Sequence, residues 1–171
     1  MKQARFIGIF GMIAMMIAAV LLTTMAYNHW KKVARNKAMM TPLHEAAAKG
    51  DLPKVRQLLA SGTAIDARDA KGMTPLFIAH TPEVAEELLQ RGADVNASSL
   101  SGLTPMHTQA IIGGVPILTI LLAHGANANA LNNDKETPLE YLRKINKRPN
   151  PKVVELLKGA MEKMPVAVPL K

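Results

Sequence analysis

A four-residue pattern recurs along this chain: Thr41-Pro42-Leu43-His44, Thr74-Pro75-Leu76-Phe77, Thr104-Pro105-Met106-His107 and Thr137-Pro138-Leu139-Glu140, spaced by 33, 30 and 33 residues. Self-similarity at that period constrains the fold more than any local propensity, because it means a stack of small supersecondary units. Each Thr-Pro reads as a helix start. The Thr hydroxyl can accept from orphan amides, and Pro at the first helical position gives up a hydrogen bond it could not have made. In the first unit Ala46 and Ala47 allow close helix approach, and Gly50 ends the first helix. Leu52, Val55, Leu58 and Leu59 give the second helix an apolar stripe, and Gly62 stops it as a left-handed cap. Residues 65–72 are then a polar turn back to the next Thr-Pro. Two short helices cannot bury their apolar side alone, so the units must stack.

A second mark follows the first three Thr-Pro sites. It reads Leu58-Leu59-Ala60-Ser61-Gly62, then Leu88-Leu89-Gln90-Arg91-Gly92-Ala93-Asp94-Val95-Asn96-Ala97, then Leu121-Leu122-Ala123-His124-Gly125-Ala126-Asn127-Ala128-Asn129-Ala130. With both marks the chain resembles the ankyrin-repeat family over residues 41–162. The resemblance implies an all-α solenoid of about four helix-turn-helix repeats, starting near residues 41, 74, 104 and 137. An aromatic content of 4% agrees with helices packed through small and flexible side chains. The second repeat is three residues short where Ala48-Lys49-Gly50 would fall, so its first helix should lose about one turn and leave the surface dented. The fourth carries a longer connection, Lys147-Arg148-Pro149-Asn150-Pro151, and is polar enough to close the stack. Residues 163–171, with Pro165 and Pro169, form a tail expected to fray.

Upstream, residues 6–27 contain no charge, and at 1.5 Å per residue they make roughly 33 Å of helix, against a hydrocarbon core of about 30 Å. A basic tail (residues 1–5) precedes this stretch, and a basic linker (residues 28–40) follows, in which Trp30, Lys31 and Lys32 suit the membrane interface. The expectation is one N-terminal transmembrane helix acting as a signal anchor in a bacterial inner membrane. The rival is a cleaved signal peptide ending at Thr24-Met25-Ala26, although the run exceeds a usual signal core and basic residues soon follow it. Lys2 and Arg5 before the span nearly balance Lys31, Lys32, Arg35 and Lys37 after it, so the charge count leaves both membrane sides open for the repeats.

The net charge of +8 gains its meaning from its position. Six basic residues and no acid lie in residues 1–40, and the rest of the chain carries 15 basic against 13 acidic residues. No dense basic patch with interleaved aromatics remains to suggest nucleic acid. Arg143, Lys144, Lys147, Arg148 and Lys152 read as a solvated face. The chain has no Cys, which excludes disulfides, thiolate metal sites and a cysteine nucleophile. His44 and His107 occupy the fourth position of the pattern, where the resemblance implies a local hydrogen bond holding the turn, and two repeats separate them by roughly 20 Å. His29, His80 and His124 are lone residues. No catalytic constellation, phosphate loop, metal, cofactor or small-molecule substrate is expected.

Binding a protein partner is the function left. The resemblance implies a concave surface built from turn tips and the exposed sides of first helices. Carried onto this sequence, the candidate residues are Lys49, Arg68, Lys71, Met73, Leu100, Leu103, Ile111, Ile112, Asn133 and Glu136. Ile111 and Ile112 stand where the family is usually polar, and with Leu100 and Leu103 they would form an apolar patch unless they turn inward beside the short second repeat. The leading expectation is a membrane-tethered adaptor. The alternatives are a structural subunit whose span works inside a larger membrane complex, and a secreted periplasmic protein that neutralises a toxin or protects a stress enzyme. Fractionation with N-terminal sequencing separates the last of these: the anchor reading expects a membrane-bound chain still carrying residues 6–27, whereas a mature start near Tyr27 marks a signal peptide.

Overall fold

The computed structural model describes residues 20, 22–25, 27, 40–112 and 114–163. The basic tail, most of the expected span at 6–27, most of the linker and residues 164–171 lie outside the described residues. Val20, residues 22–25 and Tyr27 are helical. No helix among the described residues is long and apolar enough to cross a membrane. The chain divides into two compact units, Met1–Ala38 and Met39–Lys171, and the repeats make up the second.

Eight short elements follow one another: α1 (Pro42–Lys49), α2 (Leu52–Ala60), a 3-10 turn η1 (Pro75–Ile78), α3 (Pro82–Gln90), α4 (Pro105–Ile112), α5 (Gly114–Ala123), α6 (Pro138–Ile145) and α7 (Pro151–Lys163). They stack in two rows. One runs α1–η1–α4–α6 and the other α2–α3–α5–α7, with each first element packed on its own second helix. No strand occurs among the described residues. Thr41 and Thr137 cap their helices as the sequence reading expects, with full capping boxes, whereas Thr74 makes no side-chain cap; Asp51 and Thr81, not singled out from the sequence, cap α2 and α3.

Equivalent apolar positions line up along each row. Leu43, Leu76, Met106 and Leu139, two residues after each Thr, are at most 5% exposed. Val55, Ala85, Leu118 and Val153 do the same on the second helices and are buried throughout. Each large member contributes roughly 1.5–3 kcal/mol by burial, and only a neighbouring repeat completes that burial. A polar tie crosses the second-helix row, where Glu87 accepts from Arg56 at 2.8 Å and from Arg91 at 2.6 Å. These hydrogen bonds hold its carboxyl below the usual range despite the opposing desolvation.

The second repeat departs further than expected. Its first helix becomes a single 3-10 turn of 4 residues against 8 in α1, because the three missing residues leave too little chain for an α-helical bond ladder. The backbone groups left without partners are met from both neighbours. Gln109 of α4, fully buried, donates its side-chain amide to the carbonyls of Phe77 (3.0 Å) and Ala79 (3.0 Å), and Thr108 donates to Phe77 at 3.2 Å. On the other side the His80 amide donates to the Ala47 carbonyl of α1.

Between the rows the connecting turns stack tip on tip. Leu100 N–H donates to the Lys71 carbonyl at 2.9 Å, and Asn133 N–H donates to the Ser101 carbonyl at 3.1 Å. Each tip is shaped by one side chain that accepts two amides: Asp69 from Lys71 and Met73, Ser99 from Ser101 and Leu103, Asn132 from Asp134 and Glu136. Gly72 and Gly102 hold positive φ directly under the following tip. A β-carbon on Gly102 would sit 2.5 Å from Asn133 Oδ1 and 2.7 Å from its amide nitrogen. At the corresponding place in the tip before α6, which has no further tip on it among the described residues, Lys135 adopts φ 60. Gly102→Ala is therefore expected to cost about 2–4 kcal/mol, the sum of left-handed strain and overpacking, while Gly62→Ala costs about 1–2 kcal/mol because nothing lies within 4 Å of its added carbon. Urea unfolding of the two variants checks the ranking.

Candidate interaction surface

Thr and His at the first and fourth positions of the repeat pattern build one device twice. His44 Nδ1 lies 2.8 Å from Thr41 Oγ1 and accepts from the Thr41 amide at 3.3 Å, while its Nε2 lies 2.9 Å from the Met73 carbonyl. His107 repeats this with Thr104 (2.9 and 3.1 Å) and the Glu136 carbonyl (3.0 Å). A carbonyl can only accept, so Nε2 carries the proton and Nδ1 accepts. Both imidazoles are fully buried. The local bond implied by the resemblance is thus present, and the same ring also reaches across to the tip that opens the next repeat. In the second repeat Phe77 stands in place of His, and buried Thr74 Oγ1 has no hydrogen-bond partner.

Ten residues were expected on the binding face, and they fall into three groups. Lys49, Lys71, Leu100 and Ile112 are exposed, Leu100 at 74% and Ile112 at 64%. Met73, Leu103 and Ile111 are half-buried, and Ile111 packs against the hydrophobic core, so the Ile pair divides between the surface and the interior. The remaining three, of which Arg68 and Asn133 are also exposed, are engaged by other groups of the module. Arg68 donates to the Ser98 carbonyl at 2.6 Å and the Gly72 carbonyl at 2.9 Å, tying two tips. Asn133 donates from Nδ2 to the Leu100 carbonyl at 3.1 Å. Glu136 pairs with Lys144 at 2.6 Å and accepts from Asn132 at 2.9 Å, and these bonds hold its carboxyl below the usual range while raising the Lys144 ammonium.

Ile145 was missed. It stands eight residues after Thr137, as Ile112 stands eight after Thr104, and it is 55% exposed at the end of α6. Counting from each Thr would have found it. Because α4 and α6 are neighbours in the first-element row, Ile112 and Ile145 occupy equivalent places on adjacent helices. Leu131, 58% exposed on the last connecting turn, is a further exposed apolar side chain outside the expected set. Among the described residues no group of three or more His, Cys, Asp or Glu could hold a metal.

A family model for ankyrin repeats (3 copies) matches residues 11–99 and 80–163. The chain belongs to the ankyrin-repeat family. Ankyrin-repeat modules bind other proteins and are in general not enzymes. Among curated proteins, neurogenic locus notch homolog protein 1 of Danio rerio is 41% identical over 104 residues, 58% of this chain and 4% of that protein. Its Homo sapiens counterpart is 40% identical over the same span. The inactive serine/threonine-protein kinase TEX14 of Bos taurus is 30% identical over 126 residues, 72% of this chain and 8% of that protein. The ankyrin-repeat chain thus spans a small fraction of each of these relatives.

The His107 imidazole gives this surface a pH dependence. Burial pushes the His107 imidazole below its ordinary 6.5, opposed by the Glu136 carbonyl and the nearby Glu136 charge. An unfolded His takes up a proton near pH 6.5 while the folded one resists, so this contribution is present above that pH and lost as pH falls below it. The melting temperature should therefore decline from pH 7 to 5.5. His107→Phe, copying Phe77, should start lower by about 1–3 kcal/mol because the Thr104 hydroxyl, the Thr104 amide and the Glu136 carbonyl lose their imidazole partner, yet show a flatter decline. Thermal melts of both proteins across that range check it.

Proposed function

We propose that this ankyrin-repeat protein is a membrane-tethered interaction module, an adaptor that holds a protein partner on its first-element row and connecting tips. The observation that carries the reading is the placement of Ile112 and Ile145 on adjacent helices, with Leu100 on a tip, all more than half exposed on a face otherwise lined by Lys49, Lys71 and Lys144. Large apolar side chains rimmed by polar ones mark a binding site more often than an accident, and they suit the buried anchors of an interface. Tethering is supported by the uncharged stretch at 6–27 and its basic flanks. It makes functional sense because confinement to the membrane raises the effective concentration of a partner in the same membrane without any new contact.

Two variants test the placement of the face. Ile112→Lys should leave stability within about 0.5 kcal/mol, as an exposed position allows, and should strip the partner recovered by in-cell crosslinking and pull-down of the full chain. Leu121→Ala removes a fully buried side chain of α5 and should cost about 2–5 kcal/mol, losing the partner by unfolding. If Ile112→Lys retains the partner, the binding face lies elsewhere. Replacing residues 6–27 by an unrelated anchor helix separates adaptor from structural subunit, since the adaptor keeps its activity.

A further inference from the structure

We infer that the furrow between α5 and α7 is a second docking site, on the opposite row of helices from the proposed face, and that it takes an amphipathic helix of a partner protein bearing acidic residues at both ends. The furrow encloses about 520 Å³. Its walls are apolar: Val115 and Leu122 on α5, Leu156, Gly159 and Ala160 on α7. Glycine keeps the floor open, since a β-carbon on Gly159 would meet no atom within 4 Å.

Length and backbone chemistry select a helix. Lys152 and Lys163 line the two ends of the furrow, eleven residues apart on one helix, which is roughly 16 Å or three helical turns. Both walls are helices whose amides and carbonyls bond internally, so an extended strand would find no main-chain partner. An occupant must interlock by side chains alone, which is helix-in-groove recognition with apolar anchors at i, i+4, i+7 and i+11.

Charge selects whose helix it is. Neither lysine forms an ion pair among the described residues, and Glu155 stands between them. A second copy does not fit: α7 laid antiparallel on another α7 sets Lys152 against Lys163, and laid parallel it sets each lysine against itself. Residues 6–27 carry no charge and residues 163–171 carry no acid, so neither stretch of this chain answers the two cations. A partner helix with carboxylates at its ends and a neutral or basic centre opposite Glu155 answers all three. With one protein on each row, the module would bridge two partners.

The test uses the full chain in neutral-lipid nanodiscs and a fluorescent 15-residue helical peptide. The peptide has leucines at i, i+4, i+7 and i+11, glutamates at both ends and lysine at its centre; a comparator carries lysines at the ends. The acid-ended peptide should bind at least tenfold tighter than the comparator. Gly159→Leu fills the furrow and should weaken binding at least tenfold without lowering the melting temperature. Lys152→Glu with Lys163→Glu should invert the preference. Absence of binding at millimolar peptide, equal affinity for the two peptides, or full binding by Gly159→Leu would overturn the inference. So would binding that appears only after removal of residues 164–171, which would make that segment the occupant.

Discussion

Contact between successive repeats is the interaction on which everything else in this molecule depends. A pair of helices eight or nine residues long has no inside, and Leu43, Leu76, Met106 and Leu139 become buried only because another repeat lies against them. The polar groups obey the same rule. His44 and His107 each spend one ring nitrogen on their own helix start and the other on the tip carbonyl that opens the next repeat. One side chain thereby sets both the beginning of a helix and the distance to its neighbour. Removing either partner leaves a buried polar group unsatisfied, which is costlier than never having had the bond.

The second repeat shows how far this arrangement can be bent. Losing three residues and the His leaves a four-residue turn, an unpartnered Thr74 hydroxyl and a set of free carbonyls. The stack survives because its neighbours supply what the repeat lacks: Gln109 and Thr108 from α4, the Ala47 carbonyl from α1, and Phe77 filling the volume where an imidazole stands elsewhere. The repair is incomplete, since Gln109 Oε1 is itself buried without a partner. Cooperation between neighbours, rather than the quality of each unit, holds a short solenoid together.

Function follows from what the stack leaves uncovered. Both rows of helices spend their inward faces on packing, so recognition is left to outward side chains on each row and to the tips. On the tips several polar groups are already committed: Arg68 and Asn133 tie neighbouring turns, and Glu136 pairs with Lys144 of its own repeat. Exposed apolar residues on helices, such as Ile112 and Ile145, have no such duty.

Sequence alone determined the helix starts at Thr41 and Thr137, the capping glycine at Gly50 and the apolar stripe of the first repeat's second helix, because these rest on contacts within three or four residues or on a strict period. The shortened second repeat was also legible as a deletion in that period. The rescue of the resulting 3-10 turn by Gln109 was not, since it depends on carbonyls about thirty residues away that only folding brings together. The same limit governed the surface. From sequence Ile111 and Ile112 were indistinguishable neighbours, yet the helix turns about 100° between them, and the packing of α4 on its neighbours left one half-buried against the core and the other in solvent. Which atoms a periodic sequence buries is decided by period; which it leaves free to bind is decided by the angle at which each helix is finally laid down.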